Sequence, residues 1–167
     1  FSSVGRNSVL LLNIPPDKNG RIHESDIASL TEMKHMLDRI FDTNRMTGAE
    51  IRVSSESSGH EALFLADGKP DSFWAADSSH TSATIEIIFP KPASFDVLML
   101  QENVKNGQRI EQFCLEAYIT GQWKRIAEGT TVGYIRLLRF DTVQTDRVRL
   151  VIAQARLNPE LSEMGIY

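Results

Sequence analysis

From about Asn44 to Tyr167 the chain consists of short stretches in which apolar and polar residues alternate with a period of two. Turn-forming residues separate the stretches every 8 to 12 positions, which is typical of an all-β sandwich. The alternating stretches are residues 49–54, 83–89, 95–101, 110–120, 123–126, 134–140, 146–153 and 163–167. Eight such strands predict a jelly roll.

Two turn signals refine this pattern. The sequence Thr120-Gly121-Gln122 lies between two alternating stretches and predicts a hairpin. The sequence Phe89-Pro90-Lys91-Pro92 is not expected in a central strand, because proline has no N–H group to donate to the strand ladder.

The first third of the chain has a different texture. The continuous apolar run Val9–Ile14 ends at the turn Pro15–Gly20, which predicts a strand buried on both faces, as in a parallel sheet. Beyond Ser25, apolar residues recur every three or four positions and predict an amphipathic helix of about four turns; they are Ile27, Leu30, Met33, Met36, Leu37, Ile40 and Phe41.

A strand followed by a helix is half of a βαβ unit, and no second parallel strand follows. We therefore expect its neighbours to precede Phe1, and a chain that opens on Phe rather than Met indicates a piece of a longer protein. These patterns predict two parts: residues 1–43, a strand and helix, and residues 44–167, the β-sandwich. The predicted fold is mainly β.

Charge and hydropathy narrow the function classes. The net charge of −4 gives no basic surface for nucleic acid or anionic lipid, so neither is an expected partner. The longest strongly apolar run, Val9–Leu12, is far shorter than the roughly 20 residues of a membrane-spanning helix. Cys114 is the single cysteine, so it cannot form an internal disulfide, and its alternating surroundings predict a buried thiol.

Few residues form a recognisable catalytic pattern. The four histidines, His23, His35, His60 and His80, lack the spacing of a zinc site, and no Gly-x-Ser-x-Gly motif is present. Glycoside hydrolysis needs two carboxylates. Glu102 follows a strand and begins a polar loop, but a lone Glu there is expected to be solvated or capping. Alternatively, Gln101-Glu102 and Gln108-Arg109 could brace one another or a neighbouring domain.

The turn Ala66–Trp74 is a more specific signal. Its two aspartates, a serine and tight-turn carbonyls could form an oxygen-only shell for calcium, although an Asp-stabilised turn without metal is the simpler interpretation. Trp74 and Trp123 could stack on sugar rings, but in a sandwich they are expected to belong to the core or to cover an edge.

Three stretches together resemble a known family. The sequence Gly5–Ile22, GRNSVLLLNIPPDKNGRI, resembles the segment that closes the catalytic barrel of retaining α-L-fucosidases. The sequences Leu100–Arg109, LQENVKNGQR, and Ala127–Tyr134, AEGTTVGY, are similar to the discoidin-like (coagulation factor type C-like) domain of one branch of that family, associated with α-1,3/1,4-linked fucose.

The resemblance implies that Val9–Ile14 is a late strand of a (β/α) barrel and that the helix is its outer partner. Family members remove terminal α-L-fucose with retention, using an Asp nucleophile and a separate acid/base carboxylate on upstream barrel elements. We therefore expect no catalytic residue in this chain, no activity of the segment alone, and a sandwich that packs on the barrel. The implied substrate is a fucosylated glycan bound by the parent enzyme, in the bacterial periplasm or outside the cell.

The resemblance also implies a structural calcium ion, with no cofactor needed for catalysis. The matching residues are Ala66, Asp67, Lys69, Ser72 and Glu163. Lys69 departs from the family pattern, since an ammonium group would repel the ion unless only its carbonyl takes part. A stand-alone carbohydrate-binding module, with residues 1–45 as a linker, is the alternative function.

Overall fold

The computed structural model describes residues 1–167. One α-helix precedes seven strands, and every strand pairing is antiparallel. The elements are α1 Glu24–Phe41, β1 Glu50–Val53, β2 Trp74–Ala75, β3 Ala83–Glu102, β4 Ile110–Ile119, β5 Gln122–Gly129, β6 Arg136–Ala155 and β7 Glu160–Ile166. Short 3-10 helices cover Ala62–Ala66 and Val104–Asn106. The helix α1 is not long and apolar enough to cross a membrane.

The strands form two layers because β3 and β6, each 20 residues long, pass from one layer into the other. In the first layer, residues 83–88 of β3 lie between β1 and the 147–152 half of β6, and β4 and β5 follow. In the second layer, β2, β7, residues 97–100 of β3 and residues 136–139 of β6 lie side by side. The β-sandwich expected from the alternating pattern is confirmed.

The number of strands expected from the sequence is wrong. The stretches 83–89 and 95–101 belong to β3, and 134–140 and 146–153 largely to β6. The pairing of β3 with β6 shifts register between Ile88 and Ala93, where Pro90 and Pro92 cannot donate ladder hydrogen bonds. Strand β3 stays extended through residues 89–92. The break in the alternating sequence pattern there marks a bend between the two layers rather than a turn.

The space between the layers is filled by alternate residues of the long strands. Ile85 and Ile87 of β3 pair with Leu150 and Val148 of β6, and all four are fully buried. In the second layer Leu98 and Leu100 of β3 face the same interior. Burying each such side chain contributes roughly 1.5–3 kcal/mol, so this interior is the main source of stability.

The predicted hairpin is confirmed. Strands β4 and β5 pair from Ile119–Gln122 outward, and Thr120 and Gly121 form the two-residue loop with φ values of 51° and 80°. Two successive positive φ angles match the twist of antiparallel strands, and glycine adopts the second without strain.

The prediction of a strand at Val9–Ile14 is not met within this chain. These residues pair with no strand, and the side chains of Val9 and Leu11 are 91% and 90% exposed. A strand needs a neighbour for its N–H and C=O groups, and no strand of the sandwich lies alongside. The predicted helix is present as α1, yet none of its residues is buried. Residues 1–41 therefore carry an apolar surface that the sandwich does not cover.

Candidate functional site

The Asp67 turn follows the 3-10 helix that ends at Ala66. Asp67 Oδ1 accepts a hydrogen bond from the backbone N–H of Lys69 at 3.0 Å. Ser72 Oγ donates to Asp67 Oδ2 at 2.8 Å and lies 3.1 Å from the carbonyl oxygen of Lys69. Gly68 takes the φ of +67° that closes the turn. The turn therefore gathers carboxylate, hydroxyl and carbonyl oxygens.

Glu163 of β7 reaches the same turn from 95 positions along the chain, and its Oε2 accepts a hydrogen bond from the N–H of Gly68 at 3.2 Å. The pKa of Glu163 is raised to about 7, chiefly by burial and also by the nearby Asp67 carboxylate, against the lowering effect of the Gly68 hydrogen bond. Two carboxylates thus converge without a cationic side chain to offset the Glu163 charge.

The structure brings together four of the five residues predicted as calcium ligands, namely Asp67, Lys69, Ser72 and Glu163, and Ala66 directly precedes them. Only the carbonyl of Lys69 faces Ser72, and its exposed side chain is not needed in the set. No cluster of three or more His, Cys, Asp or Glu side chains forms a metal site, so a cation here would need hydroxyl and carbonyl oxygens as well. Such oxygen donors fit a hard cation.

Glu102 is buried, with 3% of its surface exposed, and is not solvated. Its Oε1 accepts hydrogen bonds from the backbone N–H groups of Arg109 and Ile110, each at 2.8 Å, and its Oε2 accepts from Gly133. Of the two expected roles of Glu102, a solvated side chain or a cap, the structure shows the cap. The carboxylate ties the loops at 103–109 and 130–134 to the end of β3, and its position suits a structural anchor rather than an acid or base.

The backbone N–H of Arg109 binds Glu102, in line with the bracing alternative, but the Arg109 guanidinium pairs with Glu160, which the sequence analysis missed. Its Nη1 lies 2.6 Å from Glu160 Oε1 and donates to both oxygens of Asn158, at 2.9 Å each. Asn103 and Asn106 donate to the other oxygen of Glu160. Hydrogen bonds thus engage Arg109 Nη1 and the second Glu160 oxygen, whereas Arg109 Nε is buried without a partner. No local signal links residues 109 and 160, because their contact depends on how β7 returns to the loop after β3.

The two tryptophans have different settings. Trp74 is fully buried and its indole N–H donates to the carbonyl of Ser55, so it is a core residue as expected. Trp123 lies edge-on to Tyr118 at a ring distance of 5.2 Å, and the guanidinium of Arg149 stacks 4.4 Å above it. Arg149 is held by Glu116 at 2.6 Å. Trp123 covers the outer face of β4 and β5, where its ring is engaged by Tyr118 and Arg149 of the chain itself.

The remaining candidates are local contacts. His23 caps the first turn of α1, His60 stacks on Phe73, and His80 lies 3.7 Å from Asp77. Cys114 is buried as predicted, and burial raises the pKa of its thiol. These residues do not converge on one another.

Comparison with known proteins shows which family this architecture belongs to. A model of the F5/8 type C domain family matches residues 50–162. The chain belongs to this family. The F5/8 type C domain of this chain comprises the strands β1 to β7 as far as residue 162, together with the Asp67 turn. Glu163 lies one residue beyond the match.

Other relatives match the whole chain, including the residues on either side of the F5/8 type C domain. Alpha-L-fucosidase 1 of Arabidopsis thaliana is 38% identical over 175 residues, covering 100% of this chain and 34% of the relative. A Ruminococcus gnavus GH29 fucosidase, solved in complex with fucose, superposes with a TM-score of 0.90 at 29% identity, covering 99% of this chain and 34% of that one. The chain therefore spans about a third of the length of these relatives.

The fold also occurs in a separate module. A chitosan-binding module from a Paenibacillus chitosanase/glucanase matches 74% of this chain with a TM-score of 0.66, and the match covers 98% of that module at 16% identity. This likeness concerns the fold of the F5/8 type C domain alone.

Proposed function

We propose that the chain is the C-terminal segment of an α-L-fucosidase, in which residues 1–43 complete a catalytic barrel and the β-sandwich of residues 44–167, which contains the F5/8 type C domain, supports it. The observation that carries the proposal is the full-length match to fucosidases. The relatives align over residues 1–49 as well as over the sandwich, so their likeness is not the fold of the sandwich alone.

The exposed apolar surface of residues 1–41 supports this assignment. Val9 and Leu11 are almost fully exposed, and Met36 and Leu37 of α1 are 49% and 46% exposed. Soluble proteins rarely leave such a surface uncovered. In a (β/α) barrel, the segment at Val9–Ile14 would pair with neighbouring strands, and the apolar face of α1 would pack on the outside of the barrel.

Support of the barrel also fits the join between the two parts. The carbonyl of Gly5 accepts a hydrogen bond from the N–H of Leu137 at 3.0 Å, and Asn7 binds the loop before β6 through its side chain. At the other end of the segment, the ring of Phe41 in α1 lies edge-on to Tyr167 at 5.0 Å. The segment is therefore attached to the sandwich at both ends.

Hydrolysis with retention requires a nucleophilic carboxylate and an acid/base carboxylate about 5–5.5 Å apart. Glu102 is committed to backbone N–H groups, and Glu160 is paired with Arg109, so neither suits those roles. We assign both catalytic carboxylates to the rest of the parent enzyme and expect the segment alone to be inactive. The substrate would be a glycan with terminal α-1,3/1,4-linked fucose, in the periplasm or outside the cell.

The test is an assay of the parent enzyme and of this chain on an aryl α-L-fucoside, followed by fucosylated oligosaccharides of defined linkage. We expect turnover by the parent only, with α-L-fucose as the first-formed anomer in proton NMR. An inactive parent would refute the fucosidase assignment. Turnover by the chain alone would show that its own carboxylates are catalytic.

We propose in addition that the Asp67 turn holds a structural calcium ion. The specific observation is the convergence of the Asp67 and Glu163 carboxylates with the Ser72 hydroxyl and the Lys69 carbonyl. When bound, the ion would supply the positive charge that these two carboxylates lack. It would join the turn after the 3-10 helix to the last strand and so stabilise the folded domain.

A further inference from the structure

A groove of about 350 Å³ opens beside β4, away from the Asp67 turn. It is lined by Arg125 and Glu128 of β5, by Arg136 at the start of β6, and by Phe113 and Cys114 of β4. Its size falls within the range of small-ligand pockets. Charged groups and a core aromatic residue thus share one opening.

Arg136 is the unusual member of this lining. Its Nε atom is buried and has no hydrogen-bond partner. Its side chain forms no ion pair with any carboxylate of the chain. Leaving a buried donor without a partner is unfavourable, so an acceptor from outside the chain would stabilise Arg136 Nε.

A second arginine lies directly beside it. Arg6 and Arg136 face each other in an antiparallel bridge, and Arg6 also lacks an ion pair. Like charges opposite one another in a β pair are destabilising, and an anion between or beside them relieves the repulsion. The other charges of the groove offset each other, since Arg125 Nη1 lies 3.1 Å from Glu128 Oε2. The excess charge of the groove is therefore positive.

The remaining lining suits the body of a sugar. Gln112 and Thr130 offer an amide and a hydroxyl for hydrogen bonds to ring hydroxyls. The ring of Phe113 fills the space beside Gly129, where a Cβ would lie 2.6 Å from Phe113 Cζ, and this buried ring forms the closed floor of the groove. A guanidinium fork beside an amide and a hydroxyl fits a ligand that carries a carboxylate and several hydroxyl groups.

We propose that this groove binds the carboxylate of an acidic sugar, such as a uronate, with Arg136 as its principal partner. Only the choice of a sugar as the body of the ligand rests on the proposed function. The groove would hold a glycan that carries acidic residues while the parent enzyme acts on fucose elsewhere. Binding here needs no catalytic step.

The test is a titration of the 167-residue chain, followed by NMR of the arginine Nε–H groups and of the backbone amides. Methyl β-D-glucuronide and methyl β-D-glucoside form the matched pair, because they differ only in the carboxylate. We expect the glucuronide to shift the signals of Arg136, Cys114 and Gly129, with an affinity about tenfold or more above that of the glucoside. Added salt should weaken the binding.

Two variants and one control locate the site. Arg136→Gln should reduce the glucuronide affinity about tenfold or more, whereas Arg39→Gln, which removes an equal charge from exposed α1, should leave it unchanged. Ala153→Trp fills the groove from an exposed position of β6 and should abolish binding without touching Arg136, even if Arg136→Gln fails to fold.

Several outcomes would overturn the proposal. They are equal affinity for the glucoside, binding that survives Arg136→Gln or Ala153→Trp, and the absence of any shift. If inorganic sulfate at the same concentration binds as well as the glucuronide, the groove is a site for simple anions and the sugar is wrong. If the chain binds but the longer parent does not, residues of the parent fill the groove and the proposal fails. A parent that binds glucuronide but does not cleave fucosides would refute the fucosidase assignment and leave this site intact.

Discussion

The side chain of Asn7 lies against the α-carbon of Gly133. Its Nδ2 donates to the carbonyl of Val132 and its Oδ1 accepts from the N–H of Ile135, at 2.9 Å each. A Cβ at position 133 would fall 2.7 Å from both terminal atoms of Asn7. The contact joins residues that are distant in the sequence and attaches the N-terminal segment to the sandwich.

Replacing Gly133 should therefore be costly for two separable reasons. Gly133→Ala introduces the clash with Asn7 and forces alanine into a φ of +67°. We expect a loss of about 2 kcal/mol or more in the free energy of unfolding, measured by urea denaturation. Gly121→Ala is the matched control, since its φ is +80° but nothing lies within 4 Å of the added Cβ. A cost for Gly133→Ala no greater than the control would contradict the contact.

Asn7→Ala completes this experiment. On its own it removes two hydrogen bonds, and combined with Gly133→Ala it also removes the group that the added methyl would strike. The cost of the double variant should be smaller than the sum of the single ones, because the clash is shared. Additive costs would mean that the two residues do not contact each other.

Glu102→Gln should destabilise the domain by about 2–4 kcal/mol. The carboxylate accepts hydrogen bonds from three backbone N–H groups, and an amide presents its NH₂ group where one oxygen accepts now. The control is Glu50→Gln, whose carboxylate forms an exposed ion pair with Arg52 and should contribute less than about 1 kcal/mol. Equal effects in thermal denaturation would rule out the anchoring role.

Elements built from local patterns could be predicted from the sequence. The spacing of apolar residues predicts α1, and Gly121 between two alternating stretches predicts the β4–β5 hairpin. Each depends on residues within a few positions of one another, where helix and strand periods are legible. The turn at Asp67 was equally visible, because Asp and Gly favour such turns.

Contacts between distant residues could not be predicted in this way. The Arg109–Glu160 pair and the Asn7–Gly133 contact depend on which strands become neighbours, and no local spacing encodes that. Strand β2 has two residues, too few for a period to appear. In the sequence Arg136 is an ordinary polar strand residue, and only the layer arrangement shows that its Nε is buried without a partner.

The raised pKa of Glu163 predicts a pH dependence of stability in the metal-free domain. The folded-state pKa is about 7 against a usual 4.5, so the folded state binds this proton more tightly than the unfolded state does. The protonated Glu163 carboxyl therefore contributes to the free energy of unfolding below about pH 4.5, and this contribution is lost as the pH rises towards 7.

Melting curves in chelator at about pH 4.5, 6 and 7.5 should therefore show the wild type losing stability relative to Glu163→Gln as the pH rises. The variant has no titrating group at this position, and the other carboxylates are common to both proteins. A constant difference between the two proteins across this window would contradict the raised pKa.

The proposed calcium ion should reverse this pH effect, because it would bind the charged form of Glu163. With calcium at about 100 times its dissociation constant, the domain should gain about 2.7 kcal/mol of stability near pH 7.5, and chelator should remove it. Asp67→Asn should abolish the gain, because it removes one of the two negative charges. The turn itself should survive, since the amide oxygen can still accept hydrogen bonds from Ser72 and Lys69. The matched control is Asp71→Asn in the same turn, whose carboxylate pairs with Lys105 and which should retain the full response. If neither calcium nor chelator changes the melting temperature, the turn is metal-free. The hydrogen bonds from Ser72 and Gly68 would then be sufficient partners for the two carboxylates.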